Sequence, residues 1–495
     1  MSGRSYLEVY TLYTKISFEN SDVPAHFDII FIILYIALMI ENKKVRIKTF
    51  GCQMNKLDTA LVTAALKDAG FEIIDNEKDA DAVLINTCSV REHAEQRVLS
   101  HLGNLKHIKK GRPELVVAVI GCMAQRMGRE LLNHPAVDIV CGPGQITEIV
   151  ELVKNTIEKK SKSLAVAENI RKLPADEKDL DDFETQFDND EEQPPAQAYV
   201  RVMRGCDKFC SYCIVPYVRG PEVSREPKVI IEQIKRLAGK GIKQITLLGQ
   251  AVNSYEYKDG DKTYCLADIL EMTNSVSGIE WIRFVTNYPA RKYFEQICQA
   301  MRDLPRVCPY LHIPAQSGSN KILKAMNRKY TVEEYLELLE KARAIVPELA
   351  VAGDFIVGFP GETGEDFKQT VELVKKARYK NCFVFKYSPR PGTVGEKKLK
   401  DDVPAQIKGQ RNMELLAVQE KISDRLSKEF LDKTVKVLVE GASKKSHRIG
   451  QNTQLVGRTD TDWIVVFDGD KNLAGRFANV KITRTSSITL FGEIR

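Results

Sequence analysis

Apolar positions along the chain follow three patterns in succession. From Val45 to Val153, short apolar runs alternate with helical periods. Val45–Phe50 alternates as a strand and leads into GCQMNKLDTALVTAALKDAG, a helical pattern stopped at Gly70. Ala82–Ile85, Leu115–Ile120 and Val137–Val140 are further apolar runs, ending in NTCSV, GCMAQ and CGPG. Strands alternating with helices predict βαβ units on a mostly parallel sheet.

The same alternation resumes at Tyr199–Met203 and recurs through KQITLLGQ, WIRFVTNYP, YLHIPAQSGS, VAGDFIVGFPGET and CFVFKYSPRPGT. Helical patterns lie near Pro227–Ala238, Leu266–Thr273, Lys292–Met301, Lys321–Ile345 and Glu365–Ala377, so every strand but the last is followed by a helix. Six parallel units predict an open partial barrel with its active groups at the carboxyl ends of the strands. From Lys433 the pattern turns all-β, with short strands at Thr434–Glu440, Thr453–Thr459, Trp463–Phe467, Phe477–Thr483 and Ile488–Ile494. Small five-stranded barrels of this kind commonly bind nucleic acid.

The expected fold is therefore a multidomain α/β chain. A parallel α/β N-terminal domain spans 44–158, a partial (β/α)6 barrel 196–429, and a small antiparallel β-barrel 430–495. Residues 159–195 read as an acidic, solvated linker, in which ADEKDLDDFETQFDNDEEQPP carries dense like charge. Phe183 and Phe187 within it are candidates to dock on a neighbouring domain. Residues 1–43 form an N-terminal extension. Its apolar run Ile29–Ile40 is too short to span a bilayer. Residues 1–38 read as an over-extended start or an irregular leader, because MIENKKVRIKTFGCQMN from Met39 has the look of an ordinary beginning; a membrane anchor is the alternative.

Composition narrows the setting. The net charge of +6 over 495 residues says little about partners, although residues 431–495 hold 11 Lys/Arg against 7 Asp/Glu, a surplus of 4 that fits phosphate contact. Eleven cysteines, an odd number without small-domain spacing, argue against a secreted disulfide framework and for a reducing, cytoplasmic setting with metal thiolates.

Those cysteines carry the chemistry. Cys206, Cys210 and Cys213 form CxxxCxxC within RGCDKFCSYCIVPYVRG. Thiolates are soft ligands, and three are one short of a closed tetrahedral zinc site. They suit a four-iron cube that leaves one iron open, against a zinc knuckle or chance clustering. Cys52, Cys88 and Cys122 each follow a predicted strand end, where ligands gather in open parallel sheets, so they too can converge on a cluster. Cys141 is a candidate fourth ligand or a buried core residue. Cys265, Cys298, Cys308 and Cys382 lack ligand-like spacing. Gly249, Gln250, Gln316 with Ser317 and Gly318, Gly358 and Glu362 lie at barrel strand ends. There they would cradle a cofactor or serve as turn chemistry. Arg219 and Arg225 in RGPEVSREP would clamp a phosphate or lie in a solvated loop.

These words also carry a resemblance. The CxxxCxxC triad resembles the signature of radical S-adenosylmethionine (SAM) enzymes, whose open iron is chelated by SAM. LLGQ and VGFPGET resemble their cofactor-contact loops. GCQMN, NTCSVRE and GCMAQR resemble the N-terminal domain of methylthiotransferases, and the C-terminal segment resembles a TRAM domain, an RNA-binding module. The order of the pieces, over residues 45–495, is that of the methylthiotransferase family. FCSYCIVPYVRG, PAQSGS, MNRKYT, DFIVGFPGET and YSPRPGT are most similar to its tRNA-acting bacterial branch. Ala251 in GQAVNSY and LDTALV at Leu57–Val62 depart from that pattern, which touches substrate positioning rather than reaction class.

The resemblance implies two [4Fe-4S] clusters, on Cys206, Cys210 and Cys213 and on Cys52, Cys88 and Cys122. It implies two SAM molecules: one cleaved by an electron from the first cluster, one methylating sulfur on the second. The product is a methylthio group on the isopentenylated adenosine beside the anticodon. Implied partners are the tRNA anticodon loop, a protein electron donor and an unidentified sulfur donor, for a monomer away from membranes. The alternatives are the sister enzymes acting on an aspartate of a small-subunit ribosomal protein or on threonylcarbamoyl adenosine, and a non-enzymatic iron–sulfur RNA-binding protein.

Overall fold

The computed structural model describes residues 43–89, 92–172, 178–186, 194–443 and 453–495. The apolar run at 29–40 and Phe187 lie outside them. Among the described residues, no helix is long and apolar enough to cross a membrane.

The first domain is one six-stranded parallel sheet. Its strands are β1 (Lys44–Phe50), β2 (Glu72–Ile73), β3 (Ala82–Thr87), β4 (Val116–Gly121), β5 (Ile139–Cys141) and β6 (Ser163–Ala165), in spatial order 2-1-3-4-5-6. β3 and β4 are central and buried along their whole length, which explains their unbroken apolar runs. Helices cover both faces and leave a separate apolar core on each. The helix Gln53–Asp68 ends just before Gly70, which takes φ 92.

The tract read as a solvated linker differs from that expectation. β6 lies within it and extends the first sheet by pairing with β5. The helix Lys178–Gln186 follows, and its Leu180 and Phe183, three residues apart, are both buried. Phe183 packs with Met54, Leu57 and Leu61 of the first domain and Leu248 of the second. The acidic composition hid this stripe because part of the charge points inward too: Glu184 is buried against Arg201 and Arg225.

The second domain holds the six predicted strands: β7 (Gln197–Arg201), then, after a small hairpin of β8 (Met203–Arg204) and β9 (Val223–Ser224), β10 (Gln244–Leu248). A second hairpin, β11 (Glu256–Asp259) and β12 (Lys262–Cys265), precedes β13 (Trp281–Phe284), β14 (Tyr310–His312), β15 (Ala350–Val357) and β16 (Asn381–Lys386). Parallel trios 7-10-13 and 14-15-16 are joined by a parallel bridge between Ile282 and Val307 and by Asn287 N–H donating to His312 O at 3.1 Å. The result is the expected open partial barrel. The stretch Lys321–Ile345 divides into helices Asn320–Ala325 and Val332–Ile345, the second opened by a capping box of Thr331 and Glu334. Contrary to expectation, the sixth strand also has its helix, Ala405–Lys428, which packs on β16. Its apolar stripe is thin, with Leu415 and Ile422 its buried aliphatic residues, so hydrophobic periodicity did not announce it.

The third domain closes as a five-stranded barrel of β17 (Thr434–Ala442), β18 (Thr453–Arg458), β19 (Ile464–Gly469), β20 (Phe477–Thr485) and β21 (Thr489–Ile494), in order 17-18-19-21-20. All pairs are antiparallel except β19 with β21. Its β18–β19 turn is pressed against the second domain. Arg283 donates to the carbonyls of Thr459 and Asp460, and Lys380 meets both the carbonyl and the carboxylate of Asp462. Trp281 and Phe477 meet edge to face at 4.8 Å beside this contact.

Burial lowers the Lys380 amine from its ordinary 10.5 to about 8, against the pull of Asp462. The unfolded chain therefore holds more protons than the folded one between these values. The Lys380 contribution to stability is full above about pH 10.5 and is lost as pH falls through about 8. Chemical denaturation across pH 7.5 to 10.5 should show a rise in stability in the native chain that Lys380→Met lacks.

Candidate active site

Two groups of three cysteines meet at the junction of the first two domains. In the first domain, Cys52 lies at the N-cap of Gln53–Asp68, Cys88 one residue past β3, and Cys122 at the start of the helix Cys122–Met127 after β4. Adjacent parallel strands thus bring them to one sheet edge. Two asparagines fix that edge. Asn55 donates to Asn86 Oδ1 (2.8 Å) and to Thr87 O (2.9 Å), while Asn86 donates to Asn55 O (2.9 Å) and Thr59 Oγ1 (3.0 Å). Thr87 Oγ1 donates to Ile120 O at 2.7 Å, tying β3 to β4. A hydrogen bond from Cys88 holds the Cys52 thiol down at about 6, against burial and helped by the charge of Arg219. Burial dominates at Cys122 and raises its thiol, although the same arginine opposes the rise. Cys141, by contrast, ends β5 inside the core, and its thiol donates to Gln145 O at 3.2 Å.

The other triad sits in the loop between β8 and β9. Gly205 opens it at φ 70, where a side chain would strike Pro221 O. Cys206 N–H donates to Gly220 O (3.1 Å) and Cys213 N–H to Cys210 O (3.0 Å), which curls the loop. Straps hold it from outside: Ser211 N–H donates to Met326 O, Ser211 Oγ–H to Ala325 O, and Asn327 to Phe209 O. Arg328 reaches Cys210 Sγ at 3.4 Å and is anchored on Pro314 O at 2.9 Å. Burial pushes the Cys206 thiol up to about 12 and raises Cys213 as well, with Cys206 and Cys210 adding to the rise at Cys213. Burial thus favours the neutral thiols, and only a bound cation would hold the three as thiolates. Among the described residues, no three His, Cys, Asp or Glu side chains close on a single metal ion. A four-iron cube holds its thiolates farther apart than one ion does, so an open trio of soft donors fits the larger group.

One triad touches the segment that follows the other. Cys122 packs on Ile214 and Val218, in the segment that follows Cys213. Arg219 donates through Nε to Cys122 Sγ (3.2 Å) and through Nη2 to Asp58 (2.8 Å). Arg219 and Arg225 are thus neither a phosphate clamp nor a solvated loop. Both are buried in ion pairs, Arg225 with Asp181 and Glu184.

Comparison with known proteins matches three segments in the same order along the chain. Residues 44–142 match the model of the uncharacterized protein family UPF0004, 200–374 the radical SAM superfamily, and 428–494 the TRAM domain. The tRNA-2-methylthio-N(6)-dimethylallyladenosine synthase of Rhodopirellula baltica is 44% identical, over 92% of this chain and 96% of its own. Proteins of the same name from Thermoanaerobacter and Aquifex aeolicus are 41% and 40% identical, each over 92% of this chain and over 93% and 99% of their own. The chain belongs to the radical SAM methylthiotransferase family. Membership implies [4Fe-4S] clusters and SAM. Among solved structures, a radical SAM methyltransferase from Kitasatospora setae shares the fold at 16% identity and TM-score 0.51, over 72% of this chain and 74% of that one.

In this methylthiotransferase the strand-end residues expected to cradle SAM divide into two kinds. Gln250, just past β10, keeps a buried Oε1 with no partner. Gln316 holds a left-handed backbone, φ 72, pinned to β15 by bonds with Asp354 O and Ile356 N–H, the kind of strain that collects at functional sites. Gly249 packs on Met203, and Gly358, at φ 68, lies against the Lys408 stem. Glu362 departs from the cradle reading. Its carboxylate is buried and accepts from Gly358 N–H (2.9 Å) and Arg411 (2.6 Å), so it pins the loop. Asn55, Asn86 and Arg328 were not singled out as site residues, and Arg219 was singled out for a different role. The first two stand inside the words GCQMN and NTC, where their signal was available. Truncating Asn86 leaves buried partners unsatisfied, so Asn86→Ala should cost about 1–3 kcal/mol, read by urea denaturation.

Proposed function

We propose that this chain methylthiolates carbon 2 of N(6)-dimethylallyladenosine beside the anticodon of tRNA, in the cytoplasm. The observation that carries this reading is the packing of Cys122, from one cysteine triad, on the segment that follows the other, in a chain that matches the tRNA-2-methylthio-N(6)-dimethylallyladenosine synthase of Rhodopirellula baltica over 92% of its length. Cys206, Cys210 and Cys213 would hold one [4Fe-4S] cluster, and Cys52, Cys88 and Cys122 the other. When bound, the clusters and SAM supply the electron, the carbon radical and the sulfur that an unactivated aromatic C–H bond requires.

The chain's own residues position these groups. Arg328 donates to Cys210, the side chains around the triads exclude water, and Gln250 Oε1 offers an acceptor for an amine or hydroxyl of SAM. The target base, in a single-stranded loop, is extruded at less cost than a paired one. The third domain grips the RNA backbone. Its Lys471, Arg476 and Arg484 are exposed.

Reconstitution without oxygen should load about eight irons per chain. With SAM and a reductant, tRNA carrying the isopentenylated adenosine should gain a methylthio group, read by mass spectrometry of nucleosides. Cys210→Ser should abolish 5′-deoxyadenosine release. Cys88→Ser should leave that release partly intact and abolish methylthiolation. Modification confined to ribosomal protein or to threonylcarbamoyl tRNA would overturn the substrate assignment. Replacing Lys471, Arg476 and Arg484 by alanine should weaken tRNA binding and flatten its salt dependence by about one unit of log–log slope per lost phosphate contact.

A further inference from the structure

We infer that Arg219 is a positioning residue that couples the two cysteine triads, and that its hydrogen bond to Cys122 sets the reduction potential of the second cluster. This rests on the reading that Cys52, Cys88 and Cys122 ligate that cluster. The argument starts from where Arg219 is attached. It follows the last cysteine of the CxxxCxxC triad by six residues. Its backbone N–H donates to Val215 O at 2.9 Å, and the next residue, Gly220, accepts from Cys206 N–H at 3.1 Å. The main chain of Arg219 is therefore part of the loop that shapes the first triad.

Its side chain belongs to the second. The guanidinium is 5% exposed, with Nε on Cys122 Sγ at 3.2 Å and Nη2 on Asp58 Oδ2 at 2.8 Å. Asp58 Oδ1 faces Arg201 at 3.3 Å, and Arg201 is held in turn by Glu184 at 2.5 Å. The fork geometry matters: a guanidinium can present one N–H to a sulfur while another stays on a carboxylate, which an ammonium on a flexible stem does less well. An arginine keeps its charge at any ordinary pH. A fixed positive charge and a donor at a ligating sulfur stabilise the extra electron of a reduced cluster, so they raise its potential.

A purely structural role for Arg219, as a brace between domains, predicts something different, and potentials separate the two. The measurement uses the full chain with Cys206→Ala, Cys210→Ala and Cys213→Ala, so that only the second cluster remains, titrated with dithionite under electron paramagnetic resonance. In that background Arg219→Gln should make reduction at least tenfold less favourable, about 59 mV for one electron. Arg219→Lys, which keeps the charge, should recover part of the shift. Asp58→Asn removes a negative charge from the same spot and should move the potential the other way. Equal potentials in all four chains, or shifts of one sign in both Arg219→Gln and Asp58→Asn, would overturn the inference. If Arg219→Gln cannot hold iron, the Arg219→Lys and Asp58→Asn pair decides by the same signs. Absence of about four irons from the parent with Arg219 intact would instead sink the cluster assignment beneath it.

Discussion

One buried carboxylate, Asp58, holds the active centre together. It lies on the first helix of the first domain and faces Arg201 and Arg219, both from the second. Glu184, from the helix between the domains, shares the same Arg201 nitrogen, Nη2, and also meets Arg225. Buried charge of this kind contributes little net stability, because desolvation offsets most of the attraction, yet removing one partner costs about 3–5 kcal/mol. Its effect is geometric. Three arginines and three acids, from three segments, fit together in one arrangement, and that arrangement brings both cysteine triads to the same junction.

The triads themselves are poor structural residues. Cys206 and Cys213 are driven toward the neutral thiol by burial, while Cys52 is drawn toward the thiolate by Cys88 and Arg219. The two sites thus differ in electrostatic setting before any iron enters. The first is braced by carbonyl contacts, with Arg328 at Cys210 and the opposed charges of Lys208 and Glu222 beside Cys206. The second has an arginine aimed at its sulfur. Were each triad to hold a cluster of one type, such different surroundings would give the two different potentials.

Much of this was legible in the sequence, and the rest was hidden for identifiable reasons. Short-range chemistry was plain: the cysteine spacing, the apolar runs ending at Phe50, Ile85 and Ile120, and the six-fold alternation of the barrel all depend on neighbours along the chain. Long-range ion pairs were not. Arg219 and Asp58 are 161 positions apart, and nothing periodic joins them, so Arg219 read as a loop residue near a mouth. The acidic tract misled for a related reason. Composition counted its charges without showing that Glu184 would be turned inward while Leu180 and Phe183 made a narrow stripe between them. The partner of Glu362 was hidden as well, because Arg411 lies in a helix too sparsely apolar to be recognised.

The seat of the third domain has a further consequence. Its β18–β19 turn is locked to the barrel by Arg283, Lys380 and Asp462 and flanked by the edge-to-face pair of Trp281 and Phe477. The span from its exposed basic side chains to the cysteine junction is therefore fixed by packing. A nucleic acid held by the small barrel would present to the reactive centre only what lies one set distance along it, so selection of the nucleotide begins as a measurement of length, before any contact with the base.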